Sequence, residues 1–276
     1  MSVSRIEARF AALARENRAA FVAYVMAGDP TRAAGVEILK GLPGAGADVI
    51  ELGLPFSDPV ADGPSIQRAG IRALAQGVTV ADVLAMVQAF RVTDQSTPLI
   101  LMGYLNPLLS FGLDAFAAAA GESGVDGVIM VDCPPEEADP LADALDGHDV
   151  ALIRLATPTT DAARLRVVAR RTKGFVYYVS VSGVTGGKQA QAGDIAPAIA
   201  RVRAASGLPV AVGFGIRTPE QAGAVARVAD GAVVGTALVD VIAEAAAQGR
   251  DPVASVLRTV STLSGAVRAA RHPQAA

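Results

Sequence analysis

Eight short apolar runs, separated by alanine-rich stretches of helical character, are the feature of this 276-residue chain that most limits its fold. Near-continuous Val, Ile and Leu runs are typical of parallel strands that helices cover from outside. The runs are AFVAYVMA (20–27), DVIELGL (48–54), PLILMGYL (98–105), GVIMVD (127–132), VALIRLA (150–156), FVYYVS (175–180), PVAVGFG (209–215) and GAVVGTAL (231–238). Eight strand–helix units over about 250 residues favour an α/β fold closed into a (β/α)8 TIM barrel over an open doubly wound sheet.

The segment before the first run predicts an extra N-terminal helix. Ser4 is a candidate N-cap with Glu7 three residues later, and Ile6, Phe10 and Leu13 recur at helical spacing. An amphipathic helix is therefore expected ahead of the barrel.

The composition limits domain organisation and function. A net charge of −3 gives no large positive field for nucleic acid, and no apolar run approaches the ~20 residues of a membrane span. Since a signal-peptide core is also missing, we expect a cytoplasmic protein. One cysteine and two histidines cannot form a zinc cluster, so we expect no metal.

The chain contains no low-complexity linker. Residues 1–276 are therefore expected to form a single barrel domain, loose only at about 270–276.

Carboxylates occur where a barrel of this kind has its active site, in ELGLPFSDPVADGP (51–64). Glu51 alternates with Val49 and Gly53, so it should point into the barrel near the end of the second strand, where burial raises a carboxyl pKa. Asp62 follows in a turn that can return its side chain over the barrel mouth. Taken alone, Glu51 is equally compatible with a hydrogen-bonded structural glutamate, and an isolated Asp-Gly such as that at Asp62 is more typical of an Asx turn.

Glycine-bearing loops follow the last three runs, at SGVTGG (182–187), GFGIRT (213–218) and VGTAL (234–238). Glycines let backbone N–H groups approach an anion, and the following helix N-termini favour negative charge. The arrangement predicts a small-molecule phosphate ester as substrate. Neither GAGADV (44–49) nor SGVTGGKQ (182–189) completes a dinucleotide or P-loop motif.

Six segments in order make the chain similar to the tryptophan synthase α subunit family over essentially its whole length. They are ELGLPFSDPVADGP (51–64), MGYLNPLL (102–109), VDCPPEE (131–137), YYVSVSGVTG (177–186), VGFGIRTPEQ (212–221) and GAVVGTALV (231–239). The resemblance implies a lyase of tryptophan biosynthesis that cleaves indole-3-glycerol phosphate to indole and glyceraldehyde 3-phosphate. It implies Glu51 as the general acid–base residue and Asp62 as the carboxylate that stabilises the indole N–H.

The resemblance also implies the substrate-binding positions. They are Tyr177, the lid residues Thr185 and Gly186, and Phe214, Gly215, Gly235 and Thr236 around the phosphate. From the pattern alone, Tyr177 is an inward strand residue that either meets substrate or only fills the core. Thr236 stands where many members have Ser, and Cys133 replaces a common Leu; neither departure touches a catalytic position.

Asp58, Pro59, Asn106 and Pro107 resemble the family's contact surface for the β subunit. That partner would carry pyridoxal phosphate and take up indole in an α2β2 heterotetramer, so no cofactor is expected in this chain. The same residues are also compatible with a purely structural role in shaping their loops. Three other functions stay open: another phosphate-binding barrel, which would lack the first motif, a stand-alone indole-releasing lyase, and a non-catalytic scaffold that activates the β subunit.

Overall fold

The computed structural model describes residues 4–180, 192–213 and 215–271. Within these residues one parallel sheet contains β1 (Ala20–Met26), β2 (Val49–Gly53), β3 (Leu99–Gly103), β4 (Gly127–Met130), β5 (Ala151–Leu152), β6 (Arg154–Ala156), β7 (Val176–Val179), β8 (Val210–Gly213) and β9 (Gly231–Val234). The helices are α1 (Arg5–Arg15), α2 (Arg32–Ala45), α3 (Pro64–Ala75), α4 (Val80–Arg91), α5 (Leu105–Phe111), α6 (Leu113–Ser123), α7 (Asp139–Asp146), α8 (Ala162–Ala169), α9 (Ala192–Ser206), α10 (Pro219–Val228), α11 (Thr236–Ala247) and α12 (Pro252–Ala269).

The sheet closes on itself through an interrupted fifth strand. Its order is β5-β4-β3-β2-β1-β9-β8-β7-β6, with every pair parallel. β5 pairs with β4 and β6 pairs with β7, while only Ile153 separates β5 from β6. The Ile153 N–H still donates to the Val128 carbonyl at 2.9 Å. The nine segments are thus eight barrel strands, and the predicted (β/α)8 TIM barrel is confirmed.

Alternate strand residues face two different hydrophobic clusters. Val22, Val49 and Ile100 belong to a cluster inside the barrel, whereas Ile50 and Leu52 pack between the sheet and the helices. This alternation follows from the two-residue period of a strand. It confirms that the inward face of β2 is the face on which the sequence analysis expected Glu51.

Helix α1 covers the amino-terminal end of the barrel. Ser4 is its N-cap and accepts the Glu7 N–H at 3.2 Å, as predicted. The buried side chains of α1 join the inner cluster, and the Phe10 ring lies 5.5 Å from that of Phe175, which directly precedes β7. The expected N-terminal helix therefore closes the end of the barrel opposite to the active-site end.

In two of the predicted strands a helix begins before the end of the apolar run. The third run stops at Gly103 and the eighth at Val234, because helices α5 and α11 begin at Leu105 and Thr236. The Leu105 N–H, which has no acceptor in its own first turn, donates to the Asp132 carboxylate at 2.8 Å. Two of the expected partner contacts consequently lie in the first turn of a helix and not in a loop.

The chain is held near its end by Arg271. Its guanidinium Nε donates to the Ala226 carbonyl at 2.8 Å. Residues 272–276 of the expected loose tail lie outside the described residues.

No single helix in the described ranges meets the length and hydropathy of a bilayer span. The pair α3 and α4 meets them only together, with a 95° bend between its members.

Three aspartates join the amino-terminal ends of adjacent strands in the same way. Asp48, Asp126 and Asp230 precede β2, β4 and β9. Each donates its N–H to a carbonyl of the neighbouring strand and accepts the N–H of that same residue with its carboxylate, at distances of 2.8 to 3.0 Å. The residues bridged are Phe21, Leu99 and Val210, and the carboxylates also bind Arg18, Arg91 and Arg203. The bridges fix strand register where α1 closes the barrel.

Replacing Asp126 with alanine should destabilise the fold. The substitution leaves the buried Arg91 guanidinium and the Leu99 N–H without their carboxylate, which costs about 3–5 kcal/mol of unfolding free energy. Urea unfolding followed by circular dichroism measures the loss. The matched control is Glu37→Ala, which removes an exposed pair with Lys40 and should cost under about 1 kcal/mol. Equal losses in the two variants would contradict a structural role for the bridge.

Candidate active site

Glu51 is fully buried inside the barrel, near the carboxyl end of β2. It lies beside Tyr24 of β1 and Ile100 of β3 in the strand register. Neither carboxyl oxygen has a hydrogen-bond partner in the described part of the chain. Burial raises the pKa of Glu51 to about 8, because its charged form would lose hydration without gaining a donor. At pH 7 the group is therefore mainly a neutral acid.

Two tyrosines share the chamber with Glu51. Tyr177, predicted to point inward, belongs to the inner cluster, and its hydroxyl lies 2.6 Å from the position that a Cβ would occupy on Gly213. The Tyr24 hydroxyl lies 2.3 Å from the corresponding position on Gly53. Glycine at these strand ends therefore provides the space for both hydroxyls.

The sequence analysis missed Tyr24, although its position on β1 contains the signal. Tyr24 lies two residues after Val22 and hence on the same inward face. Burial raises the pKa of both tyrosines well above the usual value; the charges of Asp62 and Glu51 add to the effect at Tyr24, and that of Glu51 at Tyr177. Both hydroxyls are therefore neutral hydrogen-bonding groups.

Asp62 lies half-buried in the turn between β2 and α3, where it contacts Tyr104. The Tyr104 hydroxyl accepts the Ala61 N–H at 2.9 Å, and it lies near enough to the Asp62 carboxylate for each group to shift the pKa of the other. Burial raises the pKa of Asp62 to about 6, and the hydrogen bond from Tyr104 opposes that rise. Asp62 is therefore mainly ionised at pH 7.

Tyr104 is the second residue that the sequence analysis missed. It lies within MGYLNPLL, directly after β3, but a role for its hydroxyl depends on the turn that carries Asp62. Its ring packs on Phe56 at 5.2 Å between centroids, which fixes it under that turn. No spacing rule joins two loops that are some forty residues apart in sequence.

The predicted phosphate positions divide into those on α11 and those after β8. Gly235 is the N-cap of α11 and makes no side-chain cap, and the first turn, which begins at Thr236, has no acidic residue. Its first N–H groups and positive dipole end suit an anion. Gly215, after β8, has a φ of +62°, which suits glycine. These three residues can form a backbone cradle.

The N-terminus of α10 was also expected to favour an anion, but unlike that of α11 it has side-chain caps. Thr218 and Gln221 form a capping box that binds the first backbone donors of the helix. The helix after β9 is consequently the better phosphate site of the two.

The expected lid residues Thr185 and Gly186, together with Phe214, lie outside the described residues. The expected partner surface is described. Asp58 and Asn106 are exposed, while Pro59 and Pro107 are half-buried. The hydrogen bond between Ala61 and Tyr104 joins the two segments that carry these four residues.

Two exposed apolar side chains flank the expected partner contacts. Val60 exposes 87% of its surface and Leu109 exposes 53%. In the described parts of the chain, no three His, Cys, Asp or Glu side chains are grouped so that they could hold a metal ion.

Comparisons with known proteins agree with this architecture. The family model described as "Tryptophan synthase alpha chain" matches residues 10–268. Tryptophan synthase alpha chains from Phenylobacterium zucineum and Caulobacter vibrioides are 66% and 64% identical, covering 99% and 98% of this chain and 98% of each relative. The crystal structure of tryptophan synthase subunit alpha from Legionella pneumophila superposes with a TM-score of 0.91 at 42% identity, over 96% of this chain and 99% of that one.

A crystal structure of tryptophan synthase from M. tuberculosis in an open form is more distant. It has a TM-score of 0.85 at 36% identity and covers 96% of this chain and 99% of that one. Sequence and fold therefore agree over nearly the full length. The chain belongs to the tryptophan synthase alpha chain family and is a lyase of tryptophan biosynthesis that cleaves indole-3-glycerol phosphate.

Proposed function

We propose that Glu51 and Asp62 carry out the retro-aldol cleavage of indole-3-glycerol phosphate to indole and glyceraldehyde 3-phosphate. The supporting observation is the difference between the two carboxyl groups: burial raises the pKa of Glu51 to about 8 and that of Asp62 only to about 6. At pH 7 one group is an acid and the other is a carboxylate. Such a pair can supply a proton and stabilise a cation in the same chamber.

Each step has a residue suited to it. Neutral Glu51 protonates indole C3, and the positive charge that develops at the ring nitrogen is stabilised by ionised Asp62 at the N–H. The Glu51 carboxylate then removes the proton from the hydroxyl next to the scissile bond. The aldehyde forms, the carbon–carbon bond breaks, and its electrons restore the aromatic ring. Tyr177 would contact the substrate beside Glu51.

The phosphate group would bind at the opposite side of the barrel mouth. Gly215, Gly235 and Thr236 would hold it largely through backbone N–H groups, and the first turn of α11 supports this assignment because it lacks acidic residues. By family resemblance, Phe214 completes the cradle. Thr185 and Gly186 belong to the lid that would close over Asp62 and exclude water.

The partner in this proposal is the tryptophan synthase β subunit, in a cytoplasmic α2β2 heterotetramer. Asp58, Pro59, Asn106 and Pro107 would contact it, and the exposure of apolar Val60 beside Pro59 supports a docking surface there. Pyridoxal phosphate would be bound by the partner. The retro-aldol steps assigned to this chain need only proton transfer, so no cofactor is proposed here.

Glu51→Gln should reduce indole release by about 10²–10⁴-fold, the usual contribution of a general acid–base group. Indole formation from indole-3-glycerol phosphate is measured with the purified chain, alone and with a β subunit added. Glu37→Gln, on the exposed face of α2, is the matched control and should keep full activity. Full activity of Glu51→Gln would contradict the mechanism.

The same assay separates the alternatives. Slow release that rises sharply with the β subunit supports the complexed enzyme, whereas fast release that β does not change indicates a stand-alone lyase. The absence of release in both cases, with β still activated, indicates the scaffold.

The pH profile of kcat/KM should be bell-shaped between the two carboxyl pKa values. Activity should fall as pH drops through about 6, because Asp62 becomes protonated, and fall as pH rises through about 8, because Glu51 loses its proton. Initial rates at low substrate concentration, from about pH 5 to about pH 9, give the profile. A rate that keeps rising above pH 8 would contradict a protonated Glu51.

Tyr104→Phe should move the acid limb of this profile to higher pH. The hydroxyl donates to Asp62 and lowers its pKa, so its loss makes the carboxylate harder to ionise. The lost charge-assisted hydrogen bond should also reduce kcat/KM by about tenfold or more at pH 7. The substrate phosphate also titrates near pH 6. If the acid limb stays at the same pH in Tyr104→Phe, that limb reports the substrate phosphate and not Asp62. Tyr178→Phe, on the outward face of β7, is the control and should leave the profile unchanged.

A further inference from the structure

An ion pair between the buried Asp29 and the half-buried Arg72 joins the loop after β1 to helix α3. Asp29 exposes 1% of its surface. Both of its carboxylate oxygens accept from Arg72, with Nε to Oδ1 at 2.6 Å and Nη2 to Oδ2 at 2.9 Å. This is a bidentate pairing, which fixes direction as well as distance. The catalytic steps proposed above do not use either residue.

Helix α3 also holds the turn that carries Asp62. Its first residue, Pro64, lies two positions after Asp62. The Gln67 side-chain amide donates to the Asp62 carbonyl at 2.9 Å. Gln67 and Arg72 lie on one continuous helix, about 7.5 Å apart along its axis. Whatever fixes the position of α3 therefore fixes the backbone of Asp62.

The far end of α3 is held by a second arginine. Arg32 Nε donates to the Gln76 carbonyl at 3.0 Å, directly after the helix, and its guanidinium pairs with Asp82 of α4. Between the two ends, α3 packs against β1 at Gly70, where a Cβ would be in ordinary van der Waals contact with the Met26 methyl group at 3.7 Å. α3 is therefore attached to the β1 side of the barrel.

We propose that Asp29 and Arg72 are positioning residues that set the location of Asp62 relative to Glu51. The inference rests on the proposed function of Asp62. An ion pair with one buried and one half-buried partner is weak evidence for stability, whereas its bidentate geometry fixes a direction that an apolar contact would not fix. Displacement of a reacting group by about 1 Å can cost about 10²-fold in rate.

The electrostatic surroundings agree with this geometry. Asp29 and Asp62 both raise the pKa of Tyr24 beside Glu51, after the larger effect of burial, so the ion pair lies close to the reaction chamber. Arg72 is also influenced by Asp240 of α11, whose carboxylate binds Arg217 at 3.0 Å. Helix α3, which carries Arg72, also packs against α11, the helix proposed to bind phosphate.

The first test compares turnover with substrate affinity. Arg72→Gln should lower kcat for indole release at least tenfold while KM changes less than twofold, because the phosphate cradle is retained. Arg72→Lys keeps the charge without the bidentate geometry and should give an intermediate kcat. Arg203→Gln breaks the pair with Asp230 at the amino-terminal end of the barrel and is the matched control, with unchanged kcat. Equal kcat in Arg72→Gln and the parent, or an equal loss in Arg203→Gln, would overturn the proposal.

The second test does not depend on activity. The Asp62 carboxyl group is titrated by ¹³C NMR, with assignment by Asp62→Asn. Displacement of α3 should weaken the Tyr104–Asp62 hydrogen bond and raise the pKa of Asp62 in Arg72→Gln and Arg72→Lys, but not in Arg203→Gln. An unchanged titration in a folded Arg72 variant would overturn the positioning role. Indole release by the parent and by Glu51→Gln is measured alongside. If the parent is active and Glu51→Gln is not, the proposed function holds, and the Arg72 variants then test the positioning role separately.

Discussion

The burial of the Glu51 carboxyl group inside a closed barrel is the constraint on which the rest of the site depends. A parallel sheet with no open edge keeps solvent from the interior, so a carboxyl group on an inward position has to be neutral or receive donors from the protein. The described residues give its oxygens no donor, and burial raises its pKa to about 8. Closure of the opposite end by α1, with Phe10 against Phe175, maintains that environment. The packing of the barrel thereby sets the protonation state of the acid.

The second carboxyl group has a different environment because it lies beyond the end of the sheet. Asp62 is on a turn, half-exposed, and bound by the hydroxyl of Tyr104, so it remains a carboxylate at neutral pH. At the proposed phosphate site, too, the local environment matters more than the net charge of the chain. The chain carries a net charge of −3, and the first turn of α11, which has no acidic residue, suits an anion through its backbone donors. In the proposed mechanism, one scaffold thus supplies a neutral acid, a carboxylate that stabilises positive charge, and an anion site.

The features that could be predicted from the sequence are those that follow from the two-residue period of a strand or the 3.6-residue period of a helix. Alternation along β2 predicted the inward direction of Glu51, and alternation along β7 predicted that of Tyr177; both directions are confirmed. Tyr24 obeys the same rule, but a tyrosine in an apolar run resembles ordinary core. Tyr104 could not be assigned a role, because its partners Ala61 and Asp62 lie in another loop. The interruption at Ile153 likewise depends on three-dimensional contacts, which local pattern does not encode. The capping box of α10 is different, because Thr218 and Gln221 have the local spacing of that motif and could have been found in the sequence.

The two ends of the barrel use arginine–aspartate pairs for different purposes. At the amino-terminal end, Asp48, Asp126 and Asp230 bind backbone groups of neighbouring strands as well as arginine, so they belong to the hydrogen-bond system of the sheet. At the other end, the ladder of β2 finishes where the Leu54 N–H donates to the Met102 carbonyl at 2.8 Å, and the segment 55–63 contains no strand. Side chains must set its path. The contacts of Tyr104, Gln67 and the Asp29–Arg72 pair hold this loop, where strand hydrogen bonds no longer do.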